Sequence, residues 1–467
     1  LFLFTDDQRG GTIHGLGNDQ VITPNMDRLV SQGFSFTNTT IMGSFIGGVC
    51  APSRAMLMTG RPLFEIDPTG EKISEDYILM PEHLSDNGYH TFHTGKWHNG
   101  RESFKRSFDS GENIFFGGMS DHYRVPLHKF EENGDYKKEN SFFLKDKHSS
   151  ALYADAAINF LEHHDSKDPF FAFVSFQSPH DPRQMPQMYL DMYDHEALTV
   201  PPNFLPEHPF DNGELEIRDE WLARMPRTKK GGQKHLQSYY AMITHVDAEI
   251  GRVLEALEAS GMADNTIIIF AGDNGLAVGQ HGLMGKQNLY EHSLRVPLTF
   301  IGPKIPKGAN DSPVYLHDIY PTLCDFVKLK SPSSVLSKSL VPIIEAKTDA
   351  VRNATVHAYK NFQRSIRSDS FKLIAYNVDD KITKQLFNIK KDSYETRNLA
   401  DDPKFKNWVD SLEIEMQVLL RDIGDEVLFD TPNWNVPVIM SWENKMKLNN
   451  PESLERLKKM AKEEHKK

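Results

Sequence analysis

Short apolar runs that end in charged or imidazole residues constrain this chain more than any other feature of it. Residues 1–5, 89–94, 170–176, 266–271 and 296–301 are rich in Phe, Leu, Ile, Val and Thr and read as buried strands. Stretches 80–87, 151–164 and 235–260 carry apolar residues at helical spacing and precede three of those runs, with Gly88 and Gly261 as stops after the first and third. Helix alternating with strand predicts a large, mostly parallel α/β sheet sandwiched by helices, because parallel strands are buried on both faces and need a crossover to return. Beyond Ser331-Pro332-Ser333-Ser334 the character changes. Segments 354–359, 365–367, 371–376 and 385–389, separated by polar turns, predict a small antiparallel sheet, and 403–421 a helix covering it. The expected division is a domain of residues 1–335 and a smaller C-terminal α+β domain of 336–467. Within the second, 425–450, with Trp434 and Trp442, would wrap back onto the main body, and 454–467 would form a mixed-charge, solvated helix.

Composition narrows the function classes. A chain of 467 residues with 39% hydrophobic residues has enough material to enclose a site. The formal charge of −12 argues against nucleic acid as a partner, so any anionic substrate must be met by local cations. No apolar run is long enough to form a transmembrane segment. The opening Leu1-Phe2-Leu3-Phe4 is too short for a signal segment and reads as a strand whose upstream residues are missing. Two cysteines, Cys50 and Cys324, give no disulfide framework.

In open α/β sheets the ligand crevice lies outside the carboxyl ends of the strands, so the residues that follow each run matter most. Run 1–5 is followed by Asp6-Asp7, run 266–271 by Asp273-Asn274, run 89–94 by Lys96-Trp97-His98, and run 170–176 by Pro179-His180. Asp6, Asp7, Asp273 and Asn274 form an all-oxygen set, the preference of a hard cation such as Ca²⁺ or Mg²⁺. Either pair alone is also an ordinary turn; their joint appearance at strand ends favours the cation. Lys96, His98, His180 and Lys286 would supply proton transfer and anion binding. Lys286 closes the loop 279–286, whose three glycines permit close backbone approach.

Cys50-Ala51-Pro52-Ser53-Arg54 is the remaining signal. Pro52 suits a first helical turn and Gly60 a C-terminal stop, which predicts a helix over 52–59 with Cys50 at its mouth. There, free N–H groups and the helix dipole favour an anion, and Arg54 adds a forked cation. The local alternative is a capped surface helix with a structural cysteine.

Taken together, these pieces resemble the formylglycine-dependent sulfatases of the alkaline-phosphatase-like superfamily. The resemblance rests on Thr5-Asp6-Asp7-Gln8-Arg9, residues 23–29, Cys50 to Arg54 with Thr59-Gly60-Arg61, residues 94–98, Ser178-Pro179-His180, Asp273-Asn274-Gly275 and residues 281–286, in family order. Residues 287–298 are most similar to bacterial sulfatases that act on carbohydrates. The resemblance implies that Cys50 is converted to formylglycine by a formylglycine-generating enzyme. It implies that Asp6, Asp7, Asp273 and Asn274, with the modified residue 50, hold calcium, magnesium being the alternative. It further implies that Arg54, Lys96, His98, His180 and Lys286 surround the sulfate. A hydrated aldehyde would offer one hydroxyl as nucleophile and keep another to release sulfate, with His180 protonating the leaving alcohol and His98 taking the last proton. The substrate expected is a sulfated carbohydrate, a polysaccharide or an oligosaccharide derived from one, met by a periplasmic or secreted enzyme. His122, Arg124 and Arg183, on the long irregular stretches 101–147 and 179–234 that commonly face substrate, would be sugar contacts, and so would His281. The competing readings are a phosphomonoester or phosphonate-ester hydrolase of the same superfamily and a non-catalytic protein that grips sulfated glycans.

Overall fold

The computed structural model describes residues 1–427 other than 133 and 166, together with 429 and 434. Trp442 and the expected 454–467 helix lie outside the described residues. Eight strands form the main sheet, in the order Gly308–Asn310, Phe34–Phe36, Leu298–Ile301, Ile268–Gly272, Phe2–Thr5, Phe170–Ser175, His90–Lys96 and Ser110–Phe115. The five from Ile268–Gly272 to Ser110–Phe115 are parallel, and Leu298–Ile301 runs antiparallel to its neighbours, so the sheet is mostly parallel as expected.

Period-two alternation in the central strand splits the core in two. Phe2 and Phe4 point to one face, where Phe2 meets Phe173 edge-on at 5.1 Å, and Leu1 and Leu3 point to the other. Burying each such side chain stabilises the fold by about 2–3 kcal/mol relative to exposure. The Leu3 face is covered by helices Ser149–His163 and Lys229–Ala259, and the Phe2 face by Cys50–Thr59, Met80–Asp86 and Ile319–Phe326. The central strands are thus closed on both faces and open only at their ends.

Several boundaries differ from the sequence expectation. The long helix begins at Lys229 rather than 235. Thr228 caps it by accepting from the Gly231 amide, and Gly232 lets it press against Phe204, whose ring carbon would lie 3.1 Å from an added Cβ. Gly232 is thus a packing contact inside the first turn. The stretch 101–147, expected to be irregular, contributes the edge strand Ser110–Phe115 and a short helix, Arg101–Lys105.

Lys381–Phe387, Lys372–Val378, Gln363–Ser368 and Ala354–Tyr359 form the expected antiparallel sheet, with helix Lys406–Asp422 against it. Trp434 is buried in that core beside Phe429. A fifth strand was not legible in the sequence: Gly43–Ser44, from the first part of the chain, pairs in parallel with Ala354–Tyr359.

Candidate active site

The parallel strands place their carboxyl ends side by side, and the polar residues that follow them converge. Asp6 and Asp7 leave the central strand, and Asp273 and Asn274 leave its neighbour; all four are buried. The Asp7 amide donates to Asp273 Oδ1 at 3.0 Å, and Asn274 Nδ2 donates to Asp7 Oδ1 at 2.6 Å. Lys96 comes from the strand two places away, where Gly95 adopts a φ of 99° at a register shift. Its ammonium is hydrogen-bonded to Asp6 Oδ2.

Cys50 is the first residue of helix Cys50–Thr59, two residues earlier than the expected start. Its thiol donates to Asp6 Oδ1 at 3.3 Å, and Lys286 Nζ lies 2.9 Å from the sulfur and 2.6 Å from Asp7 Oδ1. Burial and the Asp6 carboxylate push the thiol well above its ordinary pKa, and Lys286 only partly opposes them. Arg54, one turn on, ties strand ends together. Nε donates to Asp273 Oδ2 at 2.9 Å, and Nη1 to Lys96 O at 2.8 Å and Ser175 Oγ at 2.7 Å. Nη2 is buried without a hydrogen-bond partner, 3.8 Å from Asp6 Oδ2. Ser53, which the sequence did not single out, donates to Asp273 O.

Two imidazoles complete the cluster. His180 Nε2 lies 3.6 Å from Asp7 Oδ2, while Nδ1 is 2.7 Å from Asp181 O and 3.5 Å from Asp181 Oδ1. Arg218 binds the Asp181 carboxylate through both terminal nitrogens, an orienting pair that no sequence motif signals. His98 holds a left-handed φ of 70° and is packed against Gly118, where a Cβ would sit 2.7 Å from its Nε2. Burial, with Lys96 and Arg54 nearby, keeps His98 well below its ordinary pKa and neutral near pH 7.

The donor set fits a hard divalent cation. Asp6, Asp7, Cys50 and His180 offer ligand atoms within 4.8 Å of one another, and Asn274 Oδ1 is a buried acceptor that receives no hydrogen bond. Asp6 stays ionised: burial alone would raise its pKa, but Lys96, His180 and Arg54 hold it well below the carboxylate range. Burial and the Asp6 charge push Asp273 up to about 6.

The four residues expected to touch sugar lie outside this cluster. Arg124 is exposed, with its guanidinium 5.5 Å from the Phe143 ring centre. Arg183 is half-buried and contacts His235 Nδ1 at 2.5 Å. His122 is buried, with Nδ1 on Ser149 Oγ and Nε2 on His180 O, both at 2.9 Å. His281 stacks on Tyr290 at 3.9 Å and binds Asn203 through Nε2.

Comparison with known proteins agrees with this geometry. Residues 1–329 match the sulfatase family, and residues 279–422 match the C-terminal region of N-sulphoglucosamine sulphohydrolase. A sulfatase of Formosa agariphila is 31% identical over 441 residues, covering 88% of this chain and 85% of its own. N-acetylglucosamine-6-O-sulfatase of Bacteroides thetaiotaomicron is 25% identical over 524 residues, covering 96% and 89%. A solved structure in complex with its substrate, D-glucosamine-2-N,6-O-disulfate, superposes with a TM-score of 0.76 at 25% identity, covering 91% of this chain and 98% of the other. Because the family match spans every strand end that carries the buried acids, lysines and histidines, the chain belongs to the sulfatase family and is a sulfuric ester hydrolase.

Proposed function

We propose that this chain hydrolyses an O-sulfate ester on a carbohydrate, using a formylglycine made from Cys50 and a calcium ion held by Asp6, Asp7, Asp273 and Asn274. The observation that carries the reading is the convergence of Asp6, Asp7, Cys50 and His180 within 4.8 Å, with Lys96 on one aspartate and Lys286 on the other. Three buried carboxylates face three buried cations, Lys96, Lys286 and Arg54. With a divalent cation held by these carboxylates, Lys96 and Lys286 would be free to meet the sulfate oxygens.

The hydrated aldehyde would supply the attacking hydroxyl and a second one for sulfate release, with the cation as Lewis acid. The chain's own groups do the rest. Lys96 and Lys286 neutralise charge on the sulfate oxygens. His180, oriented through Nδ1 by Asp181 and Arg218, presents Nε2 to the departing sugar oxygen. His98, held neutral, accepts a proton.

A sugar substrate is supported by the relatives whose names specify glucosamine sulfates. Arg124 and Arg183 remain our candidates for sugar contact, and for His122 and His281, whose ring nitrogens meet buried partners, we propose a positioning role instead. We place the chemistry in 1–335, with 336–467 as the smaller C-terminal domain. We also place the enzyme in the periplasm or outside the cell, matured by a formylglycine-generating enzyme; no described helix is long and apolar enough to cross a membrane. Mass spectrometry of the peptide carrying residue 50 tests the nucleophile, because an unmodified thiol in active protein contradicts it. Paired assays on aryl sulfate and aryl phosphate test the ester, and a preference for phosphate would overturn the assignment. A sulfate-release screen over defined sulfated oligosaccharides would identify the sugar.

A further inference from the structure

A cavity of about 450 Å³ opens beside the Thr5-to-Gly11 turn and is lined by residues from five separate parts of the chain, with no residue of the Cys50 cluster among them. Its floor holds two arginines without a carboxylate partner. Arg9 is 94% buried, since its relative exposure is 6%, and its Nη1 has no hydrogen-bond partner; the guanidinium lies 5.3 Å from the Tyr239 ring centre. Arg295 reaches the same cavity, and its Nε is buried and likewise unpartnered. Neither guanidinium is in an ion pair among the described residues. Both ring nitrogens of His292, which lines the cavity beside them, are also unpartnered.

The acids of this lining are held mainly by other cations, although Glu291 also feels the Arg295 charge. Glu291 is bound by Arg367 at 3.1 Å and Lys372 at 3.0 Å, and Glu395 is bound by Lys372 at 2.9 Å. Three carboxylates, Glu291, Glu395 and the exposed Asp19, therefore stand against four cations, Arg9, Arg295, Arg367 and Lys372. Arg9 is a buried guanidinium with no ion pair among the described residues, a desolvation cost that an oxyanion in the cavity would offset, and the half-buried Arg295 stands at the same opening. Forked donors around a concave floor are the geometry that binds a tetrahedral or planar oxyanion.

We propose that the Arg9, Arg295 and His292 cavity is a second oxyanion site, separate from the Cys50 centre, that takes a sulfate group. That group is either a second sulfate on the sugar or the free inorganic ion. The site is not isolated from the chemistry. The Arg9 amide donates to Tyr239 Oη at 3.2 Å, and that hydroxyl donates to Asp7 O at 2.7 Å, so an anion on Arg9 bears on the loop that carries two of the buried acids. The choice of sulfate rests on the proposed function; the existence of the site does not.

Equilibrium dialysis of the full chain with labelled inorganic sulfate tests this. Two ions per chain are expected for the parent, one for the Arg9→Gln/Arg295→Gln double variant, and one for Lys96→Ala/Lys286→Ala. A single ion abolished by the lysine substitutions and untouched by the arginine ones would overturn the proposal. Single Arg9→Lys and Arg295→Lys variants guard against misfolding, because they keep the charge but lose the fork. Each is expected to bind the second ion about tenfold more weakly. Unchanged affinity in both would also overturn it. The source is read from KM: if the ligand rides on the sugar, the double variant raises KM for a disulfated glucosamine about tenfold relative to a monosulfated one. If it is the free ion, the ratio stays the same while the stoichiometry falls. The binding readout needs no turnover, so its failure is distinguishable from a failure of the sulfatase assignment to sugars.

Discussion

Cys50 lies within hydrogen-bond reach of two carboxylates, Asp6 and Asp7, and one ammonium, and as a thiol it stays protonated because burial and Asp6 outweigh Lys286. Unconverted protein is therefore expected to bind sulfate yet turn over little. At His180 the leaving group decides the effect of substitution. His180→Ala is expected to lower kcat/KM on a sugar sulfate by about 10²–10⁴-fold while costing far less on an activated aryl sulfate, which leaves without help. Equal losses on both substrates would remove His180 from that role. Asp273 gives a pH signature for the cation. Burial and Asp6 raise it to about 6, so it takes up a proton as the pH falls through that value. Calcium affinity, measured by calorimetry, is expected to fall about tenfold per pH unit below there. An affinity flat between roughly pH 5 and 7 would exclude Asp273 from the ligand set.

Individual elements set the reach of these side chains. The strand His90–Lys96 delivers Lys96 only because Gly95 turns with a φ of 99°, and a Cβ there would meet Ser175 O at 1.9 Å. Gly95→Ala is expected to cost about 1–3 kcal/mol and to displace Lys96, with activity falling more than the urea midpoint does. An active, equally stable Gly95→Ala protein would contradict this account. The short helix Glu291–Leu294 is fixed by its acid. Burial alone would raise Glu291, but Arg367 and Lys372 hold it well below the carboxylate range. The sign follows from linkage: this stabilisation is complete above the unfolded value of about 4.3 and is lost as pH falls through the lower folded value. Glu291→Gln is expected to flatten that part of the acid limb in urea titrations, and Glu291→Ala to cost about 3–5 kcal/mol by leaving two buried cations short of a partner.

Across the whole molecule, the C-terminal sheet is built into the main body. Gly43 sits at a φ of 110° with Ala358 O 2.0 Å from where a Cβ would be, the Ala358 amide donates to Met42 O, and Glu291 takes its cations from Arg367 and Lys372. A fragment of 1–335 alone is therefore expected to lose near-UV circular dichroism and to bind a hydrophobic dye. A fragment with native melting and activity would refute that dependence. The sequence by itself determined the sheet class, since strands buried on both faces must read as apolar runs, and it marked Asp6, Asp7, Lys96, His98, His180, Asp273 and Lys286, since loops after such runs have one common place to go. It also marked Cys50 through five adjacent residues. Only the tertiary structure decided the pairing of Gly43–Ser44 with a strand more than 300 residues away, the Arg218 hold on Asp181, the inward turn of His122 and His281, and the unpaired arginines of the second cavity. Each depends on contacts between segments far apart in the chain. Local propensity carries no information about such contacts, because the energy that fixes them is released only when the distant partners have met.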